Sequence, residues 1–248
     1  MSDIKRCIEY LEKYNGFKLS GRSDFDTLRA LMNVTMPYDL SDKFYALQDE
    51  ILQDLLKTKT VVDVNELPLI DDKICLYKGD ITLLKADAIV NACNSKMLGC
   101  FVPGHYCIDN AIHTFAGLET RRDLMGVMKA QGHDEANGKC KVTSGYNLPA
   151  KYILHTVGPI YSGAHSDDID LSNCYTSCLK AADDLGLKNV VFCALSTGAF
   201  LFPIERATDI AIKSVKDYLN DKNKNIERVI FDVFSDRDYG VYERRLKR

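Results

Sequence analysis

Residues 190–219 read VVFCALSTGAFLFPIERATDIAIKSVKDYL, and their pattern changes twice. The run from Val190 to Leu195 is apolar and short, as a strand buried on both faces would be. Leu195 to Phe200 holds small residues with one glycine, and from Glu205 to Leu219 apolar residues return at helical spacing. Working outward, the same alternation recurs. Short β-branched runs stand at 74–77 (ICLY), 88–90 (AIV), 152–157 (YILHTV) and 228–234 (RVIFDVF). Helical patterns lie between them at Ile108–Phe115, Leu118–Lys129 and Leu171–Asp184. Strands separated by helices predict a layered α/β fold. The first 60 residues differ: Ile4, Cys7, Ile8 and Leu11 repeat at helical spacing, and Thr27–Met32 and Asp42–Lys57 are further helical runs, with Pro37 between them. The expected organisation is a helical N-terminal extension over 1–70 and one α/β domain over 71–248, with no internal repeat.

Composition narrows the function. The 248 residues are 46% hydrophobic and 27% charged, which excludes a disordered chain, a coiled coil and a disulfide-bound miniprotein. No apolar run approaches the roughly 20 residues of a membrane span, and Met1 to Tyr14 lacks the apolar centre of a secretory signal. A cytoplasmic location is the expectation. Residues 1–70 carry 9 Lys and Arg against 12 Asp and Glu, and the remainder is balanced at 23 against 23. That balance argues against a nucleic-acid partner. The one basic cluster, Arg244, Arg245, Lys247 and Arg248, reads as a solvated helix end. Nine cysteines without a signal point to reduced thiols or a metal site rather than disulfides.

The densest chemistry lies in Gly99-Cys100-Phe101-Val102-Pro103-Gly104-His105-Tyr106-Cys107-Ile108-Asp109-Asn110. His105 and Cys107 would share one side of an extended backbone. Pro103 and Gly104 can turn the chain so that Cys100 meets them. Two thiols and an imidazole are zinc ligands, and three protein ligands leave an open position. Cys93, Cys140 or His133 would close it and make the site structural. The plain alternative is a buried cysteine pair beside an unrelated histidine. Asp109 and Asn110 open a helix, where they would serve as caps or, beside a metal, act on water.

Three more loops follow strands. Ser196 to Phe200 would offer backbone N–H groups to phosphate before the next helix. Gly79-Asp80-Ile81-Thr82 ends the first strand, and Asn91-Ala92-Cys93-Asn94 places two amides at the end of the second. Ligands of open α/β sheets bind at such carboxyl ends, so a nucleotide-like ligand is expected. Neither GxxxxGK[ST] nor GxGxxG occurs.

Taken in order, Gly79–Thr82, Asp87–Asn94, Ile108–His113, Thr143–Ala150 with Tyr152–Pro159, and Ser196–Gly198 resemble the macrodomain family of the MacroD type, over roughly residues 72–245. The resemblance implies a three-layer α/β/α sandwich around a mixed sheet, with ADP-ribose as ligand. MacroD-type proteins carry a glycine run before the Asp that matches Asp109; here Cys100 to Cys107 replaces it. This resembles the zinc-containing subclass, which also has a helical N-terminal extension. The subclass implies zinc on Cys100, His105 and Cys107, and hydrolysis of the ester between ADP-ribose and an acidic side chain. It further implies, as modified protein, a lipoyl carrier served by a sirtuin-type transferase.

Carried over residue by residue, Asp80 matches the acceptor of the adenine amino group, with the Ile81 backbone beside it. Asn94 matches the amide on the distal ribose, Asn91 supports the loop at that pocket, and Asp109 matches the catalytic acid residue, with Asn110 next to it among the catalytic candidates. Ser196, Thr197, Gly198, Ala199 and Phe200 match the diphosphate loop, although Ala199-Phe200-Leu201 replaces the usual aromatic-Gly ending. Phe234-Ser235-Asp236 and Tyr239 match the adenine wall. Two other activities share this pocket: binding of ADP-ribose without cleavage, zinc being structural, and deacetylation of O-acetyl-ADP-ribose.

Overall fold

A computed structural model describes residues 2–247; Arg248, the last of the basic cluster, lies outside them. The extension comprises α1 (Asp3–Asn15), α2 (Asp24–Val34) and α3 (Asp42–Lys57). Ser23 and Ser41 cap α2 and α3, each Oγ accepting an amide of the first turn. Cys7, Leu11, Leu28, Leu31, Phe44 and Leu52 close a small core, which takes in Leu118 from the α/β part.

The α/β part contains β1 (Val62–Asp63), β2 (Leu69–Asp71), β3 (Ile74–Lys78), β4 (Leu84–Lys85), β5 (Ala88–Cys93), α4 (Ile108–Ala116), α5 (Leu118–Gln131), β6 (Cys140–Ser144) and β7 (Tyr152–Val157). Then follow α6 (His165–Asp184), β8 (Asn189–Cys193), α7 (Ile204–Asp221), β9 (Arg228–Val233) and α8 (Asp236–Leu246). Seven strands form one mixed sheet in the order β2-β3-β9-β8-β5-β7-β6, and β1 and β4 form a separate parallel pair. The five inner strands are parallel and the two edge strands antiparallel. Helices flank the sheet, giving the α/β/α sandwich expected from the sequence.

The inner strands are almost wholly buried, so their apolar runs need no alternation. The chain leaves β5 toward β7, then α6 carries it back to β8 on the other side of β5. That makes β5/β8 the switch point of the sheet. Their pairing covers only Ala88↔Val190 and Ile89↔Val191. The loops after β5 and β8 therefore lie at the carboxyl ends of neighbouring strands, where ligands of open α/β sheets bind.

Boundaries differ from the sequence reading in instructive places. β5 runs to Cys93, so Asn91 is a buried strand residue rather than a loop amide. α6 begins six residues earlier than the apolar pattern, at His165, because its first turns carry polar side chains. β6, absent from the reading, is an edge strand with most of its side chains half-buried or exposed. β2 joins the main sheet at its edge, so the sheet already begins at Leu69.

Candidate active site and metal-binding loop

Cys107 is the N-cap of α4: its Sγ accepts the Asn110 N–H at 3.4 Å. The expectation that Asp109 or Asn110 caps this helix is thereby corrected; the cap stands two and three residues earlier, which frees Asp109 to point inward. Asp109 is 5% exposed, and its Oδ1 accepts from Asn91 Nδ2 at 2.9 Å. Burial raises its pKa to about 6, against the Asn91 hydrogen bond and the charge of Arg121. His113, one turn on, places Nε2 3.4 Å from Asp109 Oδ1. Burial first, then the charge of Arg121, holds His113 well below the usual histidine range, so the imidazole is neutral.

A directed chain of hydrogen bonds lies behind Asp109. The β5–β7 register sets Asn91 opposite His155. Thr143 donates its hydroxyl to the Ser144 carbonyl at 3.1 Å, so at 2.8 Å from His155 Nε2 it must accept. His155 therefore carries its proton on Nε2, and Nδ1 accepts from Asn91 Nδ2 at 3.3 Å. Burial lowers the His155 pKa to about 3, which fixes that neutral form. Both protons of the Asn91 amide are thus committed, one to His155 and one to Asp109. Asn91, expected to support the loop at the ligand pocket, gives its side chain to Asp109 and His155, and its oxygen has no partner among the described residues.

Cys100, His105 and Cys107 place their ligating atoms within 4.8 Å of one another. Cys100 Sγ lies 3.5 Å from His105 Nδ1. A tetrahedral zinc with bonds of about 2.3 Å to sulfur and 2.0 Å to nitrogen would separate those atoms by about 3.5 Å. The donor set and spacing therefore fit zinc. The turn foreseen at Pro103-Gly104 exists: Gly104 has φ +65° and His105 N–H donates to the Val102 carbonyl. Among the described residues no fourth His, Cys, Asp or Glu joins the group. Cys93 turns its thiol to the Asn91 carbonyl, Cys140 to that of Lys141, and His133 lies against the Asp134 carbonyl. Burial pushes the Cys107 thiol up to about 11 despite the Asn110 amide, a shift that a bound cation would reverse.

Asn94 closes the turn after β5, accepting from Lys96 N and donating to the Gly99 carbonyl at 3.1 Å. It thus ties that turn to the start of the loop that holds Cys100, His105 and Cys107. Asn110, expected among the catalytic residues, has its amide engaged elsewhere. Its Nδ2 donates to the Val102 carbonyl at 3.1 Å, and its Oδ1 accepts from Arg29.

In the loop after β8, Ser196 adopts φ +63° and packs against Gly158, where a Cβ would come within 2.1 Å of its Oγ. Thr197 spends its hydroxyl on the Ala194 carbonyl. The amides of Gly198, Ala199 and Phe200 have no protein acceptor among the described residues. Successive N–H groups without a protein acceptor are the raw material of an anion site. At the far end, the exposed Asp80 accepts from Thr82 N and Oγ1, capping the turn that buries Ile81. Phe234 stands 87% exposed after β9, and Ser235 caps α8.

Sequence reasoning gave no role to His113, His155, Arg121, Arg29 or Asp232. Polar residues inside apolar runs, His155 in YILHTV and Asp232 in RVIFDVF, were the available signals. Asp232 is buried, and burial together with the charge of Asp80 raises it to about 8.

These features define a class: an α/β/α sandwich with unspent backbone amides in the loop after β8 and a buried carboxylate, hydrogen-bonded to β5, in the first turn of α4. The chain belongs to the macro domain family, whose model matches residues 90–211. It is 45% identical over 259 residues to a protein-ADP-ribose hydrolase of Staphylococcus aureus (strain MSSA476), covering 98% of this chain and 96% of that one. It is 43% identical over 249 residues to a protein-ADP-ribose hydrolase of Treponema medium, covering 96% and 95%. Its fold matches the Trypanosoma brucei macrodomain solved in complex with ADP-ribose, with TM-score 0.68 and 29% identity, over 92% of this chain and 97% of that one.

Proposed function

We propose that this chain is a zinc-dependent hydrolase that removes single ADP-ribose units from the Asp and Glu side chains of modified proteins. The observation that carries this reading is the group Cys100, His105 and Cys107, which could hold a metal ion, has no fourth His, Cys, Asp or Glu beside it among the described residues, and ends two residues before the buried carboxylate of Asp109. Relatives 43–45% identical over nearly their whole length are named for hydrolysis of protein-linked ADP-ribose.

In this reading Asp80 accepts from the adenine amino group and the Ile81 backbone lies beside the ring. The loop from Ser196 to Phe200 holds the diphosphate, and Asn94 fixes the distal ribose. When bound, zinc supplies a Lewis acid at a ribose hydroxyl or a water. Asp109, held by Asn91, orients the attacking water and takes its proton. Water adds across the ester, ADP-ribose leaves with a free anomeric hydroxyl, and the protein regains its carboxylate. Positioning of this kind supplies several kcal/mol of barrier reduction. Asn110 is assigned to the loop that carries the ligands rather than to the chemistry.

No helix among the described residues is long and apolar enough to cross a membrane, and a cytoplasmic substrate accords with the reduced cysteines. A lipoyl carrier is the substrate to try first. A pure ADP-ribose reader with structural zinc would need a fourth protein ligand.

The test is release of ADP-ribose from a protein modified on acidic residues, with zinc assayed on the same preparation. Turnover that follows about one zinc per chain supports the proposal. Binding of ADP-ribose without release, at full zinc content, overturns it.

A further inference from the structure

The loop bearing the metal ligands is held from outside the α/β domain. Arg29, on α2, donates from Nε and Nη2 to Asn110 Oδ1 at 3.2 and 2.8 Å, and from Nη2 to the His105 carbonyl at 2.9 Å. Its guanidinium also lies 5.5 Å from the centre of the Tyr106 ring. One helical turn along the same face, Asn33 accepts from Gly104 N at 2.9 Å and donates to Thr114 Oγ1 at 3.0 Å. Two side chains of the extension thus touch Gly104, His105, Tyr106 and Asn110, the segment that contains two of the three ligands.

Without such contacts the segment has little to shape it. Residues 100–107 form no helix or strand, and Phe101, Val102 and Tyr106 are exposed. A loop that must be ordered by its metal loses affinity to the entropy of that ordering. A loop already shaped does not. Arg29 reaches Asn110, whose other amide end holds the Val102 carbonyl, so a single guanidinium fork links the two arms of the loop.

We propose that Arg29 is a positioning residue for metal binding: through Asn110 and the His105 carbonyl it keeps Cys100, His105 and Cys107 in their ligating arrangement. The inference rests on the reading of that loop as a metal site. It makes the helical extension part of the site rather than a cover for an apolar face.

Zinc affinity of the full chain, measured by competition with a chromophoric chelator, tests it, with circular dichroism of the metal-free protein as a control on folding. Arg29→Met keeps the aliphatic stem and removes the fork. Its zinc affinity should fall about 10–100-fold, the range for groups that orient metal ligands. Arg29→Lys keeps the charge but not the two-pronged geometry, and should still lose about tenfold. Wild-type affinity in both variants overturns the inference and leaves the metal site standing. A wild-type chain that takes up no zinc overturns both. If Arg29→Met fails to fold, the Lys variant alone decides.

Discussion

At the scale of single residues the site is organised by burial. Asn91 is the only side chain donating a hydrogen bond to the Asp109 carboxylate among the described residues. Replacing it with Ala leaves a buried carboxylate without that donor, a loss of about 1–3 kcal/mol. Asn91→Ala should therefore raise the Asp109 pKa further, lower thermal stability by several degrees and slow ADP-ribose release at least tenfold, while zinc content stays at the wild-type level. Calorimetry, a release assay and metal analysis on one preparation check all three. Asp232 makes a separate prediction. Its folded pKa, about 8, lies above the usual carboxylate value, so between pH 4 and 8 the folded state holds a proton that the unfolded state has lost. Its contribution to stability falls as pH rises through that window. Asp232→Asn removes the titration, so the melting temperature of the variant relative to wild type should climb steadily from pH 4 to 8. A difference that is flat with pH would show that Asp232 is ionised in the fold.

At the scale of elements, legibility followed exposure. α4 and α3 were readable almost to the residue, because both combine a clear apolar stripe with a sharp start. The cap of α4 was misread, since thiols are not usual caps and Asp109-Asn110 are. β5 was cut short because Asn91 looks like a loop residue; only the register against His155 shows why a buried strand carries an amide. The cluster of Cys100, His105 and Cys107 was legible in the sequence. The Thr143–His155–Asn91 chain was not, because its members come from three strands. The observed role of Cys107 as cap and its proposed role as ligand can be separated. Cys107→Ser keeps a capping oxygen, whereas Cys107→Ala removes cap and ligand together. Both variants should lose zinc and turnover, and the Ala variant should be the less stable by about 1 kcal/mol, the usual worth of an N-cap. Urea denaturation of the metal-free proteins measures that difference.

For the molecule as a whole, the question is whether residues 1–70 are an appendage. The contacts say otherwise. Arg121 of α5 is 1% exposed and donates from Nη1 to the Met32 and Thr35 carbonyls, and from Nε to that of Leu98. Gln48 of α3 accepts the Leu118 amide and donates to Glu119 at 2.8 Å, and Gln53 donates to the Asn147 carbonyl. Removing the extension strips Arg121 of two of its three acceptors. It also exposes Leu118, the α/β residue of the small core. A buried guanidinium left unpaired costs several kcal/mol, a large share of the 5–15 kcal/mol that holds a typical domain together. The fragment 71–248 should accordingly be insoluble, or melt at least 10 °C below the full chain, although it lacks only the edge strand β2 of the main sheet and β1 of the small parallel pair. Arg121→Met, which fills the space without the charge, should recover part of that loss in the fragment and destabilise the full chain. A fragment as stable as the whole protein would mean that the extension is carried by the α/β domain rather than built into it.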